Sequence, residues 1–370
     1  MTGTSSIVQR GWVSHGTAGG FVFVGCFTTE QRKARGRGID VYRAQPWSGT
    51  WTYAHHVGGL VNPSFLITDP KRRALYMVHG DSDFVSAFAI DAATGALVPL
   101  GQAATGGKNG VHLTLAPSGQ FLLVANYATG SIATLPIRPD SSLEPSVHLL
   151  DLPGETGPHR TEQTFSHPHC VVPAPSGRFI LVPDKGLDCV FTLAFDAADG
   201  RLEIVSRVAM RSGAGPRHLV FHPHLSFAFI VNELESSVAT CRWDEKAGKL
   251  MPLHLAPALP ADFFGASTAA AIVISPCGRF VYASNRGLDS IARFAFDETD
   301  GRLDTLGWTS TQGREPRFMT LDPAGQCLIV ANEQGNSIVT FEIDPISGDL
   351  SQRDAALVSA SPCTLAFLQA

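Results

Sequence analysis

FILVPDKGLDCVFTLAFDAADGRL, at Phe179–Leu202, matches FVYASNRGLDSIARFAFDETDGRL, at Phe280–Leu303, feature by feature. Each stretch has an apolar strand, a polar loop, a strand of alternating apolar and polar residues, and an Asp-x-x-x-Gly turn followed by Leu. The pattern recurs in four further copies, which begin near Leu75, Phe121, Phe227 and Cys327. Repeated short strands without a helical pattern are the signature of a β-propeller. We therefore predict an all-β fold in which equivalent loops of every blade meet on one face.

The two ends of the chain indicate how the ring closes. The six copies leave Phe21–Trp51 and Pro362–Leu368 unassigned. The dipeptide at 362–363 matches the Pro-x pair at 63–64, which opens the first strand of another copy. We therefore predict a seven-bladed β-propeller with four antiparallel strands per blade, in which the C-terminal strand is the innermost strand of a blade whose outer strands come from the N-terminus. This closure leaves no exposed sheet edge.

Composition limits the class of protein. Of the 370 residues, 44% are hydrophobic and 16% are charged, with a net charge of −5, so the chain can build a large core. No run of Lys and Arg is longer than the three residues at 71–73, and we expect no nucleic-acid and no membrane partner. Seven scattered cysteines without a CxxC pair favour reduced thiols in a cytoplasmic protein. We expect residues 1–19 to form a flexible tail without a signal peptide, and residues 20–370 to form a single seven-bladed domain.

Strand order predicts which loops share a face. The chain enters the first strand of a blade from one face and turns into the second strand at the opposite face, so the first-strand entry and the loop after the second strand lie together. Two columns of residues then line this face. The first column, six residues before the Pro of each first turn, comprises Ser64, Val111, His169, Arg217, Ala270 and Arg317. The second column, directly after each second strand, comprises Gly80, Tyr127, Lys185, Glu233, Arg286 and Glu333.

Three consecutive blades bring chemically active side chains to these columns. They supply His169 with Lys185, Arg217 with Glu233, and Arg286. A carboxylate, an imidazole and two guanidiniums that converge in a funnel can bind an anion and move a proton. The alternative is that Arg217 and Glu233 form only a salt bridge between blade edges. We favour the catalytic interpretation, because such a pair does not need a His and a second Arg beside it.

Other polar residues near the columns have simpler interpretations. His218 follows Arg217 directly, and strict alternation along a strand would point it into the packing between blades. His167 and His169 could bind a metal ion, but no acidic residue at ligand-like spacing accompanies them, so we predict no metal site. One asparagine recurs at a single position of the repeat, which is typical of a structural residue: Asn126, Asn232, Asn285 and Asn332.

Four motifs together carry a resemblance to a known family: HPHCVVPAPSGRFILVPDKGLD at 167–188, GPRHLVFHP at 215–223, VNELESSV at 231–238 and SPCGRFVYASNRGLDSI at 275–291. They resemble the seven-bladed propeller lactonase family, which includes 6-phosphogluconolactonases and 3-carboxy-cis,cis-muconate lactonising enzymes. The resemblance extends from about residue 20 to the end of the chain. It implies a catalytic site of His169, Arg217, Glu233 and Arg286, the same positions that the blade alignment selects.

The resemblance also suggests substrate contacts. We expect His167, Lys185 and Arg317 to bind substrate, together with Arg160 of a family-like R-x-x-Q spacing that ends at Gln163. The chain departs from the family pattern in two places. Phenylalanine follows the last Pro-Arg, where asparagine is common, and the segment 268–273 lacks the usual acidic residue and histidine. These departures bear on the substrate more than on the fold.

The resemblance implies a cofactor-free lactonase that hydrolyses an anionic sugar lactone, with 6-phosphogluconolactone as the leading candidate. Glu233 or His169 would be the general base, and the other would orient it or protonate the leaving oxygen. Arg217 and Arg286 would bind the anion or stabilise the tetrahedral oxyanion. Three alternatives stay open: a muconate-type lactonising cyclase that uses the same residues, a non-catalytic propeller that binds a partner, and a divalent-metal propeller lactonase.

Overall fold

The computed structural model describes residues 19–44 and 50–369. Its first strands are β1 (Gly20–Cys26), β2 (Gly38–Ala44) and β3 (Thr52–Gly58), with a 3-10 helix at Glu30–Arg32 between the first two. The predicted flexible tail, except for residue 19, lies outside the described residues.

Six antiparallel sheets follow in chain order and form blades 1 to 6. Blade 1 contains β4 (Pro63–Asp69), β5 (Ala74–His79), β6 (Phe84–Ile90) and β7 (Leu97–Ala104). Blade 2 contains β8 (Gly110–Leu115), β9 (Phe121–Asn126), β10 (Ser131–Pro136) and β11 (His148–Asp151). Blade 3 contains β12 (Val172–Pro173), β13 (Phe179–Asp184), β14 (Cys189–Phe195) and β15 (Leu202–Ala209).

The remaining three sheets repeat this order. Blade 4 contains β16 (Pro216–Phe221), β17 (Phe227–Asn232), β18 (Ser237–Asp244) and β19 (Lys249–Pro257). Blade 5 contains β20 (Thr268–Ile274), β21 (Phe280–Arg286), β22 (Ser290–Asp297) and β23 (Arg302–Ser310). Blade 6 contains β24 (Pro316–Leu321), β25 (Cys327–Asn332), β26 (Ser337–Ile343) and a broken outer edge of β27 (Leu350–Gln352) and β28 (Leu357–Val358).

The seventh blade joins the two ends of the chain. Its strand order is β29 (Pro362–Gln369), β1, β2, β3. The strand β29 pairs antiparallel with β1 from Gly20↔Gln369 to Cys26↔Pro362, and it also contacts the first strands of blades 6 and 1. The predicted seven-bladed architecture and its closure by both ends are confirmed.

The core lies between blades, because the second strand of each blade is buried on both faces. In β9, Leu122 and Val124 pack toward blade 1, whereas Leu123 and Ala125 pack toward blade 3. A strand with apolar residues on both faces reads as a continuous hydrophobic run, as FLLVA does. This interleaved packing holds the channel-facing first strands in fixed positions.

The recurring asparagine closes the loop between the second and third strands. The Nδ2 groups of Asn126, Asn232, Asn285 and Asn332 donate to the Oγ atoms of Ser131, Ser237, Ser290 and Ser337, respectively, at 2.9–3.3 Å. All four asparagines are fully buried. This geometry supports their interpretation as structural repeat residues. No helix in the described part of the chain is long and apolar enough to cross a lipid bilayer.

A β-bulge at the entry of the first strand positions the channel-lining side chains. In blade 4, Pro216 pairs with Asn232 and His218 pairs with Val231, so Arg217 is the extra residue. Equivalent register shifts place Ser64, Val111 and Arg317 in the bulges of blades 1, 2 and 6. The first column is therefore largely a column of bulge residues, and a bulge interrupts the alternation of side chains. The prediction that His218 points into the inter-blade packing is wrong for this reason.

Candidate active site

Glu233 is the centre of a buried ionic cluster at the functional face. Its Oε1 lies 3.3 Å from Nζ of Lys185 and 3.2 Å from Nη2 of Arg286. Its Oε2 lies 2.9 Å from Nε of Arg217, although that N–H is not aligned for a hydrogen bond. The side chains of Arg217 and Lys185 are each 3% exposed, and that of Glu233 is 10% exposed. Blades 3, 4 and 5 thus meet at one carboxylate, as the sequence predicts.

The cluster keeps Glu233 ionised. Burial by itself raises the pKa of the Glu233 carboxyl, but Arg286, Lys185 and Arg217 together hold it well below its usual range. Oε2 of Glu162 forms a second ion pair with Nζ of Lys185, at 2.6 Å. A carboxylate that three cations hold in its charged form is a weak proton acceptor. Glu233 is therefore better suited to hold Arg217, Arg286 and Lys185 in position than to accept a proton.

Arg217 is fixed by neighbours on three sides. Its Nη1 donates to the carbonyl oxygen of Ala270 at 2.5 Å and lies 3.2 Å from Nε2 of His218. Burial and the nearby charges of Arg286 and Arg317 lower the pKa of Arg217. Nη1 is hydrogen-bonded and Nε lies against Glu233 as an ion pair, so Nη2 remains for a ligand. The guanidinium is a rigid donor group held at the pocket wall.

Three histidines lie in a row across the channel. The ring centroid of His218 is 5.4 Å from that of His169 and 5.7 Å from that of His112. Burial and the charge of Arg217 lower the pKa of His112 to about 3, and burial together with Arg217 and Arg317 holds the pKa of His169 well below its ordinary value. Nδ1 of His169 is buried and has no hydrogen-bond partner within the described ranges. His169 is therefore a neutral imidazole with a free polar atom.

A pocket opens beside these residues at the channel mouth. It is narrow: its empty space of about 390 Å³ includes open solvent, and only about 20 Å³ of it can take the centre of a water molecule. Its polar wall comprises Arg32, Arg217, Arg317, His169, His218, Ser64 and Asn109, and its apolar wall includes Phe27, Phe65 and Phe318. Glu233 lies behind Arg217 and does not line the pocket. The pocket thus presents cations and neutral imidazoles to a ligand, while the carboxylate stays in the wall.

Some predicted substrate contacts are brought together and others are not. Lys185 and Arg286 belong to the Glu233 cluster, and Arg317 lines the pocket. His167 stacks on Tyr127 at 4.3 Å between ring centroids, and its Nδ1 lies 3.0 Å from the backbone oxygen of the same tyrosine. It therefore packs the loop and does not line the pocket.

Gln163 of the R-x-x-Q motif stabilises the loop that precedes His169. The Nε2 group of Gln163 donates to the backbone oxygen of Lys185 at 2.8 Å and to Asp188 at 2.6 Å, which anchors the loop. Arg160 is exposed on this loop and has no ion pair among the residues that the structure describes. The structure does not bring Arg160 to the pocket.

Five residues that line the pocket are not predicted from the sequence: Phe27, Arg32, Phe65, Asn109 and His218. His218 was assigned to the inter-blade packing because the bulge is not visible in the sequence. Phe27 and Arg32 belong to the seventh blade, whose second strand is β1. Phe27 directly follows β1, so it occupies the second column, and Cys363 occupies the first. Extending the column alignment to the two ends of the chain would have found both positions.

The donor set does not resemble a resident metal site. No group of three or more His, Cys, Asp or Glu side chains suited to hold a metal ion occurs in the described ranges. The carboxylates of Glu233, Asp81 and Glu333 are each paired with an arginine that lines the pocket. The charges that this site offers to a ligand are guanidinium charges.

The fold and the site define a class: a seven-bladed propeller with a cationic, imidazole-lined pocket at one mouth of its channel. A family model described as "Lactonase, 7-bladed beta-propeller" matches residues 21–367. The chain belongs to the seven-bladed β-propeller lactonase family.

Individual relatives agree with this membership. The 6-phosphogluconolactonase of Bacillus subtilis is 31% identical over 311 residues, which cover 84% of this chain and 88% of that protein. The 6-phosphogluconolactonase of Formosa agariphila is 32% identical over 349 residues, which cover 91% and 96%. The structure of the periplasmic gluconolactonase of Pseudomonas aeruginosa matches with a TM-score of 0.84 and 30% identity, over 95% of this chain and 99% of that one.

Proposed function

We propose that this protein is a lactonase that hydrolyses an anionic sugar lactone, with 6-phosphogluconolactone as the leading substrate. The observation that carries the proposal is the pocket itself, in which the neutral imidazole of His169 faces a space bounded by three arginines. The names of the relatives support the same reaction. They also favour hydrolysis over the lactonising cyclisation that similar residues could perform.

His169 is the general base of the proposed reaction. Hydrolysis of a lactone needs a water molecule that loses a proton as its oxygen attacks the carbonyl carbon. His169 is neutral and has a free Nδ1, whereas Glu233 is held by Lys185, Arg217 and Arg286. We therefore assign the proton transfer to His169 and an orienting role to Glu233.

Arg217 stabilises the charge that develops on the carbonyl oxygen. Water attack forms a new C–O bond and moves the carbonyl π electrons onto oxygen, where the guanidinium can donate a charge-assisted hydrogen bond. Collapse of this intermediate breaks the ring C–O bond. The proton on His169 then passes to the leaving ring oxygen, so the product is the open hydroxy acid and the imidazole is again neutral. A low pKa makes the transient imidazolium a good acid for this last step.

Arg286 and Lys185 do not contact the substrate in this proposal; they stabilise the charged form of Glu233. They share Oε1 of Glu233, and Arg286 also donates to the backbone oxygen of Ala269 at 3.1 Å. Their charges let Glu233 stay ionised while Arg217 faces the pocket. No cofactor is required, because water, a base and an oxyanion donor complete the reaction.

An assay with a panel of aldonolactones tests the function. The purified protein should open phosphorylated and unphosphorylated aldonolactones, measured as acid release by pH-stat titration. His169→Ala should lower kcat by about 10²–10⁴-fold. His148→Ala is the control, because His148 lies on the outer strand β11, its Nε2 contacts the backbone oxygen of Leu202, and it does not line the pocket. Failure to open any lactone, or equal activity of the two variants, would contradict the proposal.

We also propose a cytoplasmic location. All seven cysteines are free, and six of them are buried. This pattern fits a reducing compartment, where disulfides are rare. Fractionation of the native host, followed by immunodetection, would test the location.

A further inference from the structure

Arg317 is a guanidinium that the protein leaves almost without partners. It lines the pocket, and its side chain is 21% exposed. The nearest carboxylate, Glu333, is 3.7 Å away, which is an ion pair too long for a hydrogen bond. In the part of the chain that the structure describes, Arg317 donates no hydrogen bond to another residue. A largely buried group with five donors and one loose partner is prepared for a ligand.

Arg32 approaches the same place from the seventh blade. It is the last residue of the 3-10 helix after β1, and it also lines the pocket. Asp81 accepts from its Nε at 2.8 Å and from its Nη2 at 2.6 Å. One edge of the guanidinium is therefore fixed by Asp81. The Nη1 end has no protein acceptor among the described residues and remains for a ligand.

Phe27 contacts both of these arginines. The Cζ atom of Arg32 lies 4.8 Å from the centroid of the Phe27 ring, and that of Arg317 lies 5.2 Å from it. Cation–π contacts with one ring offset part of the repulsion between like charges. No Asp or Glu stands among the pocket-lining residues that the structure describes. Two guanidiniums on one aromatic platform suit a group with two negative charges.

Resting on the proposed lactonase function, we infer that Arg32 and Arg317, ordered by Phe27, form the subsite that binds the dianionic phosphoryl group of the substrate. The two ends of the pocket then bind different parts of the substrate. His169 and Arg217 act on the lactone carbonyl, while Arg32 and Arg317 bind the distal phosphate bidentately. Arg32 is thus a specificity-determining residue supplied by the blade that joins the chain ends.

Variants of Arg32 test the subsite against a matched control. Arg32→Gln should lower the preference for a phosphorylated aldonolactone over the same lactone without phosphate by about 10- to 100-fold, chiefly through KM, because one charge-assisted contact is lost. Arg317→Gln should act in the same direction. The control is Arg72→Gln, since Arg72 pairs with Asp69 at 2.7 Å and is 28% exposed, as Arg32 is, but belongs to the turn at the opposite face. It should leave the preference unchanged.

Equal losses for both lactones in Arg32→Gln would overturn the subsite and make Arg32 a structural residue. An unchanged preference would overturn it too. A measurement on the unaltered protein guards against a variant that fails to fold: inorganic phosphate should compete more strongly with the phosphorylated lactone than with the unphosphorylated one, and equal competition would contradict the subsite.

Calorimetry separates this inference from the function. Inorganic phosphate should bind the unaltered protein and bind Arg32→Gln more weakly, whether or not any lactone is opened. Phosphate binding without hydrolysis would refute the lactonase and keep the anion subsite. Hydrolysis with no phosphate binding would refute the subsite and keep the lactonase.

Discussion

Blades 4 and 6 carry the same residues at the same two positions of the repeat, but the pairs differ in structure. In blade 4, Arg217 and Glu233 are 2.9 Å apart and 3% and 10% exposed. In blade 6, Arg317 and Glu333 are 3.7 Å apart and 21% and 17% exposed. The difference comes from the neighbours. Blade 4 lies beside blades that supply Lys185 and Arg286, whereas blade 6 lies beside the chain-closing blade.

The difference teaches that one sequence pattern can serve two purposes. The blade 4 pair is locked into a network in which the carboxylate neutralises several cations. The blade 6 pair is loose, so its arginine keeps its hydrogen-bonding capacity for a ligand. The residues following the arginines agree with this division, since His218 continues the imidazole row and Phe318 contributes apolar surface.

The largest expected effect is on stability. Glu233→Gln should lower the free energy of unfolding by about 3–5 kcal/mol, because it leaves buried cations without their counter-charge. Glu333→Gln should cost about 1 kcal/mol or less, because its ion pair is long and partly exposed. Urea denaturation of both variants measures the difference.

The first stability effect has a defined pH dependence. The pKa of Glu233 is lower in the folded protein than in the unfolded chain, so its contribution is complete above about pH 5 and declines as the pH falls toward the lowered value. The gap between Glu233→Gln and the unaltered protein should narrow in acid. Equal losses in the two glutamine variants at neutral pH would show that the blades do not differ as described.

The second effect is on turnover. Arg217→Lys should lower kcat by about 10²–10³-fold, because an oxyanion donor with fixed geometry is lost. Arg317→Lys keeps a charge at the distal end of the pocket but loses the planar fork, so it should raise KM for the phosphorylated lactone and leave kcat within a few-fold. Steady-state kinetics with both variants separates the roles. A larger loss of kcat in Arg317→Lys would reverse the assignment.

The third effect is on the pH profile of activity. Burial and the charges of Arg217 and Arg317 hold the pKa of His169 below its ordinary value, so the neutral base persists until the pH falls below that lowered value. We expect kcat/KM to show no protonation step near pH 6.5, where an ordinary histidine titrates. A clear loss of activity centred near that pH would mean that the imidazole is less shielded than its position indicates.

The smallest expected effect is that of chelation. The site offers guanidinium charges where a metal-dependent lactonase would offer carboxylate and asparagine oxygens. The repeat asparagines Asn232 and Asn285 are fully buried and do not line the pocket. Exhaustive dialysis against EDTA should leave kcat unchanged. Activity that is lost and then restored by Ca²⁺ or Zn²⁺ would replace the oxyanion role of Arg217 with Lewis-acid catalysis.

The sequence alone determined the number of blades, the closure by both ends and the face that carries the site. These follow from local rules, because the repeat fixes the strands, and antiparallel connectivity fixes which loops lie together. The same alignment selects His169, Arg217, Glu233 and Arg286 as candidate site residues. Equivalent positions can be aligned in this chain because every blade has the same order of strands and loops.

Only the tertiary structure decided which further side chains reach the pocket and which of them are ionised. The bulge at Arg217 brings His218 to the channel, and a bulge depends on register between two strands, which the repeat does not encode visibly. Arg32 and Arg317 meet on Phe27 only because the first and last strands of the chain close the ring. The packing of the blades, a long-range property, brings Arg286, Lys185 and Arg217 to Glu233 and so keeps it ionised, whereas burial keeps His169 neutral.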